Sequence, residues 1–310
     1  MKRRLPERSK EKKELLDFSL IAQQLINAVS LGSLYGLIAI GYTMVYGILR
    51  LINFAHGDVM MMGCFFAFYG IMIFSMPWWL SFPIAIVLTA FLGILIDRGA
   101  YRPVRNAPRI SALITAIGVS FFLENLGLVV FGGRPKGFPR PEIFGGIYTF
   151  GDIRFLGLSI WVPLIALVLL SGILFLVYRT RVGRAMRCIS YDMETTRIMG
   201  VDVNRIIAIT FAAGSAAAAA GGILWAMKYP QINPLMGIIP GLKAFVAAVL
   251  GGIGNVVGAM LGGLILGMAE ILLVAIRPDL SGYRDAIAFG ILILILLFRP
   301  TGLMGEKLPE

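Results

Sequence analysis

Residues 179–205, RTRVGRAMRCISYDMETTRIMGVDVNR, carry six arginines and three acids between two apolar runs, each long enough to cross a membrane. A segment this charged cannot lie in hydrocarbon, and its arginine excess marks a loop that faces the cytoplasm. A polar, roughly helical loop held between spans is a handle that a soluble partner can push. The flanking chain fits that reading. Its 310 residues are 58% hydrophobic and 15% charged, with a mean hydropathy of +0.85. A soluble domain this apolar could not cover its core, so the bilayer is the solvent. The formal charge of +11 sits in short clusters between apolar runs. That placement points to topology and contact with the lipid bilayer, and no nucleic acid is expected as a partner.

Apolar runs near 18–49, 59–76, 78–96, 110–132, 155–178, 206–227, 241–276 and 283–298 predict about eight spans, since crossing ~30 Å takes about 20 residues. The predicted fold is all-α: a polytopic integral membrane helical bundle with broken or re-entrant segments. Residues 1–17 read as a basic cytoplasmic N-terminal tail, and 18–305 as a single transmembrane domain containing the 179–205 loop. The first and seventh runs are too long for one simple helix, and Ser75-Met76-Pro77 divides 59–96, because proline removes a donor and favours a turn.

Arg98, Arg102, Arg105 and Arg109 share a side with the 179–205 loop, since two runs separate them. Three runs separate the tail from Arg98, so its parity fails. An extra pass or a re-entrant hairpin within 18–58 would restore it, with Gly32, Gly36, Gly41, Gly47 and the polar Asn53–Asp58 as breaks. Lys136 and Gln231 fall in proline-rich external loops. GxxxG spacing recurs at 32–36, 254–258, 258–262 and 263–267, as close helix packing in membranes requires. No internal sequence repeat is evident.

Catalysis is not expected, and the chain is read as no enzyme. His56 is the single histidine and reads as a hydrogen-bonded helix-end residue; Cys64 and Cys188 suit neither a disulfide nor a metal. A GxxxxGK[ST] phosphate loop is absent, so no bound cofactor is expected. Asp58, Glu124, Lys243 and Glu270 lie in or beside apolar runs, where ionisable groups are costly and point to function. The plainer reading puts Asp58 and Lys243 at the interface, with Lys243 snorkelling. For Glu124 the alternatives are a hydrogen bond to a neighbouring helix or a place along a solute path. Asn53, His56, Gly57 and Asp58 are expected to line that path opposite Gly252, Gly254 and Asn255.

The stretch 36–63, GLIAIGYTMVYGILRLINFAHGDVMMMG, resembles the membrane permease subunits of branched-chain amino-acid ABC importers. So do Tyr101-Arg102-Pro103, the RVGRAMR…MGVDVNRIIAITF segment and the tail containing AAVLGGIG. The likeness runs from about residue 20 to 305. It implies a chain of the cell inner membrane that translocates leucine, isoleucine or valine. Its implied partners are a second homologous permease, two cytoplasmic ATP-binding subunits that use the ATP, and an extracytoplasmic solute-binding protein. Related permeases carry urea or short amides, and an ion-coupled secondary transporter is the rival from another class. The family's loop pattern, Glu-Ala-Ala-x-x-x-Gly, survives as Glu194-Thr195-Thr196-Arg197-Ile198-Met199-Gly200. By that resemblance Gly183, Arg184, Arg187, Glu194 and Gly200 belong to the ATPase-coupling loop. If the loop transmits force, Glu194 and the Arg184/Arg187 pair offer docking charges, and Gly200 stands where a helix would end and the chain must turn.

Overall fold

A computed structural model describes residues 7–151 and 153–305. In chain order the helices are α1 (Glu7–Leu49), α2 (His56–Met72), α3 (Trp78–Ile96), α4 (Arg102–Val104), α5 (Arg109–Phe131), α6 (Glu142–Gly145), α7 (Leu158–Arg179), α8 (Arg181–Tyr191), α9 (Met193–Ile198), α10 (Val203–Lys228), α11 (Ile238–Gly251), α12 (Val256–Ile276) and α13 (Arg284–Phe298). A wide π turn at Asp97–Tyr101 joins α3 to α4. Among the described residues four short strands, β1 (Lys136–Gly137), β2 (Ile147–Phe150), β3 (Ile153–Leu156) and β4 (Gln231–Ile232), form two small antiparallel ladders. β1 pairs with β4, which puts the Lys136 and Gln231 loops at one end of the bundle as expected. At the other end Arg105 donates to Asn204 Oδ1 at 2.9 Å, so the 98–109 cluster and the 179–205 loop also share a side.

Among the described residues seven helices are long and apolar enough to cross a membrane, and α2 and α11 are shorter, at 17 and 14 residues. The overlong 241–276 run breaks at 252–255, and the 59–96 run turns at 73–77 with Pro77 ahead of α3. The overlong first run does not break. α1 continues to Leu49, and the interruption comes at Arg50–Ala55. A helical glycine costs only about 1 kcal/mol against alanine, and Gly32, Gly36 and Gly41 of α1 face neighbours too close for a side chain, while Gly47 rests in ordinary contact with Gly254. A Cβ on Gly32 would stand 2.7 Å from Leu264 Cα, and one on Gly41 would overlap the His56 ring. They are contact points rather than breaks.

α1 also settles the parity problem. Arg50, just past its end, donates to Ser190 O of α8 at 3.2 Å. Twenty residues earlier, Ser30 accepts from Lys228 at the far end of α10, at 2.8 Å. The start of α1 therefore lies at the end of the bundle opposite the 179–205 loop, and one uninterrupted helix supplies a single crossing. The expected cytoplasmic side for both tail and loop conflicts with this geometry. Residues 1–6 of that tail lie outside the described residues.

The packing of the first half recurs in the second. α1 lies along α12 as α10 lies along α3; α2 packs on α3 and α10 as α11 packs on α12 and α1; α2 touches α5 as α11 touches α13. The two units run in opposite senses, because α1 ends and α10 begins near the 179–205 loop. α2 starts within Asn53-Phe54-Ala55-His56-Gly57, and α11 starts directly after Asn233-Pro234-Leu235-Met236-Gly237. There Gly57 and Gly237 meet so closely that a Cβ on either would overlap the other's backbone. An inverted repeat is thus present although no sequence repeat is evident, because the symmetry resides in which helices touch and only faintly in residue identity. Interrupted helices meeting inside such a repeat are how membrane transporters expose polar backbone at depth.

α1 and α10 form the buried centre, while α5, α7 and α13 leave most of their surface uncovered. The central seam joins α1 to α12 through Gly32, Gly36, Gly263 and Gly267, whose backbones leave no room for a Cβ. Without a hydrophobic drive between helices in lipid, close backbone approach supplies the packing.

Candidate coupling and translocation site

The 179–205 loop is a folded elbow. Thr180 caps α8, accepting from Gly183 N at 3.0 Å. α8 then doubles back on the end of α7 so tightly that a Cβ on Gly183 would overlap Val177 O and Leu176 O. Arg187 donates to Val177 O and stacks over the Tyr178 ring at 5.4 Å. It therefore faces inward, in contrast to the docking role expected beside Arg184, because the unsatisfied carbonyls at the end of α7 attract a cation. Arg184 and Glu194 remain exposed.

Asp192 caps α9 through Glu194 N and Thr195 N. The hydrogen bonds from the Thr195 hydroxyl and the backbone hold its carboxyl below the usual carboxylate range. A depressed folded-state pKa stabilises above the unfolded value and fades as pH falls through the folded one, so this cap loses strength only below about pH 4. Circular dichroism or hydrogen exchange at α9 should show no change between pH 8 and roughly pH 5. Gly200 follows at φ +84°, its N–H donating to Arg197 O at 3.0 Å, the left-handed turn expected there.

The elbow presents apolar groups that the sequence reading missed: Tyr191, Ile198 and Met199 are more than three-quarters exposed, next to Arg184, Glu194 and Arg197. Their signal was available, since apolar residues at the rim of a charged, non-membrane segment need a partner to cover them. Behind the elbow a cavity of about 80 Å³ is bounded by Met44 and Ile48 of α1, Met186 and Arg187 of α8, Thr210 of α10, and Gly254. Arg50 and this wall join α8 to the end of α1, next to the 50–55 interruption.

Side-chain contacts tie that interruption to its neighbours. Asn53 Oδ1 accepts from Tyr101 OH at 2.8 Å, and His56 Nε2 bonds Ile38 O at 3.2 Å while its ring lies 4.4 Å from that of Tyr42. Asp58 accepts from Ser120 of α5 and is buried, so it is no interface residue. Its cost is met by that hydrogen bond and by the start of α2, where the helix dipole favours an anion. Glu124, one turn beyond Ser120, is partly exposed on α5.

Gly252, Gly254 and Asn255 serve a different contact. Gly252 (φ +105°) and Gly254 (φ +102°) shape a turn against which residues 301–305 fold, with Leu303 N donating to Leu250 O at 3.0 Å. Asn255 caps α12 through Gly258 N and donates to Met304 O at 3.1 Å. The structure thus sets Gly252–Asn255 against residues 301–305 and Gly47, while the stretch facing Gly57 is Gly237–Gly241.

Lys243 does not snorkel. It is 5% exposed, held by Glu270 Oε1 at 3.0 Å, Glu270 Oε2 at 3.1 Å and Asp285 Oδ1 at 2.8 Å, and Tyr35 OH donates to Glu270 Oε2 at 3.1 Å. Oε1 lies at ion-pair distance but outside hydrogen-bonding angles, which leaves it without a hydrogen bond. α11 brings Lys243 inside the bundle, where only neighbouring carboxylates can offset its burial.

A family profile described as branched-chain amino acid transport system, permease component, matches residues 24–296. The chain belongs to this permease family. It is 44% identical over 299 residues to the high-affinity branched-chain amino acid transport system permease protein BraD of Pseudomonas aeruginosa, covering 92% of this chain and 95% of that relative. It is also 44% identical over 304 residues to the permease LivH of the same named system in Escherichia coli K12, covering 93% and 97%. LivM of E. coli K12 is a more distant relative, at 26% identity over 94% of this chain and 72% of LivM. The chain is accordingly a multi-pass inner-membrane permease and not an enzyme, a component that works with other subunits of a transport system.

Proposed function

We propose that this permease translocates leucine, isoleucine and valine inward, driven by two separate cytoplasmic ATPases. A second homologous permease completes the membrane channel, and an external solute-binding protein delivers the solute. ATP is bound by the partners and no cofactor by this chain. The observation that carries the reading is the elbow at 179–205, with an exposed apolar and charged rim on one side and the end of α1 on the other. It accompanies near full-length similarity to relatives named for these solutes. ATPase closure pushes α8 and α9; α1 carries the push to Asn53–Asp58, which faces Asn233–Gly237 across the inverted repeat. Residues 179–205 face the cytoplasm, and the start of α1 lies on the outer side.

The test is uptake by the reconstituted assembly. Labelled leucine should accumulate with ATP and binding protein, and continue when proton and sodium gradients are collapsed. Uptake that follows an ion gradient, or prefers urea or acetamide, overturns the reading. Two variants probe the elbow. Gly200→Val forces a β-branched residue into the left-handed region at a cost of roughly 1–2 kcal/mol, and should lower transport and solute-stimulated ATP hydrolysis together while the protein inserts normally. Ile198→Ser with Met199→Ser removes the apolar rim and should reduce co-purification of the ATPases. Unchanged assembly and turnover in both would make the loop a plain connector.

A further inference from the structure

Beside the elbow, a cavity of about 360 Å³ opens between the end of α3 and the start of α10. Its wall holds Arg98, Arg102 and Arg205 with Asp97 and Asp202, above apolar Ile94 and Ile209. The carboxylates are already engaged. Asp97 is buried against Arg105 at 2.8 Å, and Asp202 caps α10 through Arg205 N at 3.1 Å. Arg98 and Arg102 feel the field of Asp97, but Arg98, Arg102 and Arg205 enter none of the side-chain ion pairs among the described residues. Counting Arg105, four guanidiniums face two carboxylates, a surplus of two positive charges.

The position of the cavity selects its occupant. Leu88, Phe91 and Leu95 are about half exposed on α3, and Arg98 in the π turn and Arg102 at the start of α4 are exposed just beyond them. The chain therefore passes from uncovered apolar side chains to uncovered guanidiniums at the membrane edge, which is the profile of a phospholipid read from acyl chain to headgroup. A soluble protein docking at the elbow would have no use for the apolar half. Guanidinium forks suit phosphate oxygens in particular.

We propose that this pocket binds the phosphate headgroup of an anionic phospholipid from the cytoplasmic leaflet, with its acyl chains lying along Leu88, Phe91 and Leu95. The leaflet assignment rests on the proposed cytoplasmic side of the 179–205 loop, whereas the binding test below reads lipid retention and is independent of transport. At about 1 kcal/mol for each basic residue near such a headgroup, removing three charges should weaken retention about a hundredfold.

The experiment uses the full chain purified with its partner subunits, exchanged into mixed phosphatidylglycerol and phosphatidylcholine, with retained lipid counted by native mass spectrometry. The unmodified protein should retain phosphatidylglycerol in preference, and the preference should fall as salt is raised. Arg98→Gln/Arg102→Gln/Arg205→Gln should abolish it, while the same charge change at Arg179, Arg181 and Arg299 should not. No preference in the unmodified protein, or equal loss in both triple variants, overturns the proposal. Displacement of the lipid by inorganic phosphate at equal concentration would assign the pocket to a soluble anion instead. Loss of the ATPases with lipid retention unchanged would assign it to a protein partner, and either result overturns the lipid reading.

Discussion

Lys243→Met should destabilise the protein by about 3–5 kcal/mol, because it strands a buried carboxylate without its cation. Glu270 is 1% exposed and would retain only the Tyr35 hydroxyl. The double variant Lys243→Met/Glu270→Leu should recover most of the loss, since replacing a whole buried pair with apolar groups is often close to neutral. Asp285→Asn should cost less than about 1 kcal/mol, because Asp285 is 56% exposed at the ion pair and water can take its place. Thermal unfolding of the detergent-solubilised chain reads all three. A Lys243→Met protein with an unchanged midpoint would mean that the cluster contributes nothing to stability.

Gly263→Val and Gly267→Val should each cost about 3 kcal/mol, the upper part of the range for overpacking. A Cβ at Gly263 would overlap Gly36 N and Cα, and one at Gly267 would overlap Gly32 N and Cα. Backbone cannot swing aside as a side chain can, so relief requires α1 and α12 to part along the seam that holds the bundle's centre. Both variants should lower the yield of folded protein and transport in parallel. Gly118→Ala is the control: it lies on the uncovered side of α5 with nothing within 4 Å of the added carbon, and should stabilise slightly through helix propensity. Retained stability in both valine variants would show that the seam is loose.

Much of the site was legible because its signals are local. Charge density located the elbow, and Gly200, standing where a helix must end, anticipated a turn that the structure places at φ +84°. The direction of Arg187 was not legible, because it depends on α8 folding back on α7 through Gly183. Asp58 and Lys243 look like interface residues in the sequence, because hydropathy measures distance from a run's end and cannot see that α2 and α11 start inside the bundle.

From the sequence alone, hydropathy and run length determined that the bilayer is the solvent, where the helices lie, and which loop is exposed to water. Those properties belong to one residue or one helical turn. Only the tertiary structure decided that the α1 glycines are contacts and not breaks, that the start of α1 and the elbow lie at opposite ends, and that Asn53–Gly57 faces Asn233–Gly237. Each of these depends on contacts between distant residues, such as Ser30 with Lys228, 198 positions apart, or Tyr35 with Glu270, 235 apart. Helix propensity and hydropathy are the same whichever neighbour a glycine or a lysine meets, so the choice of neighbour is made only when the helices pack.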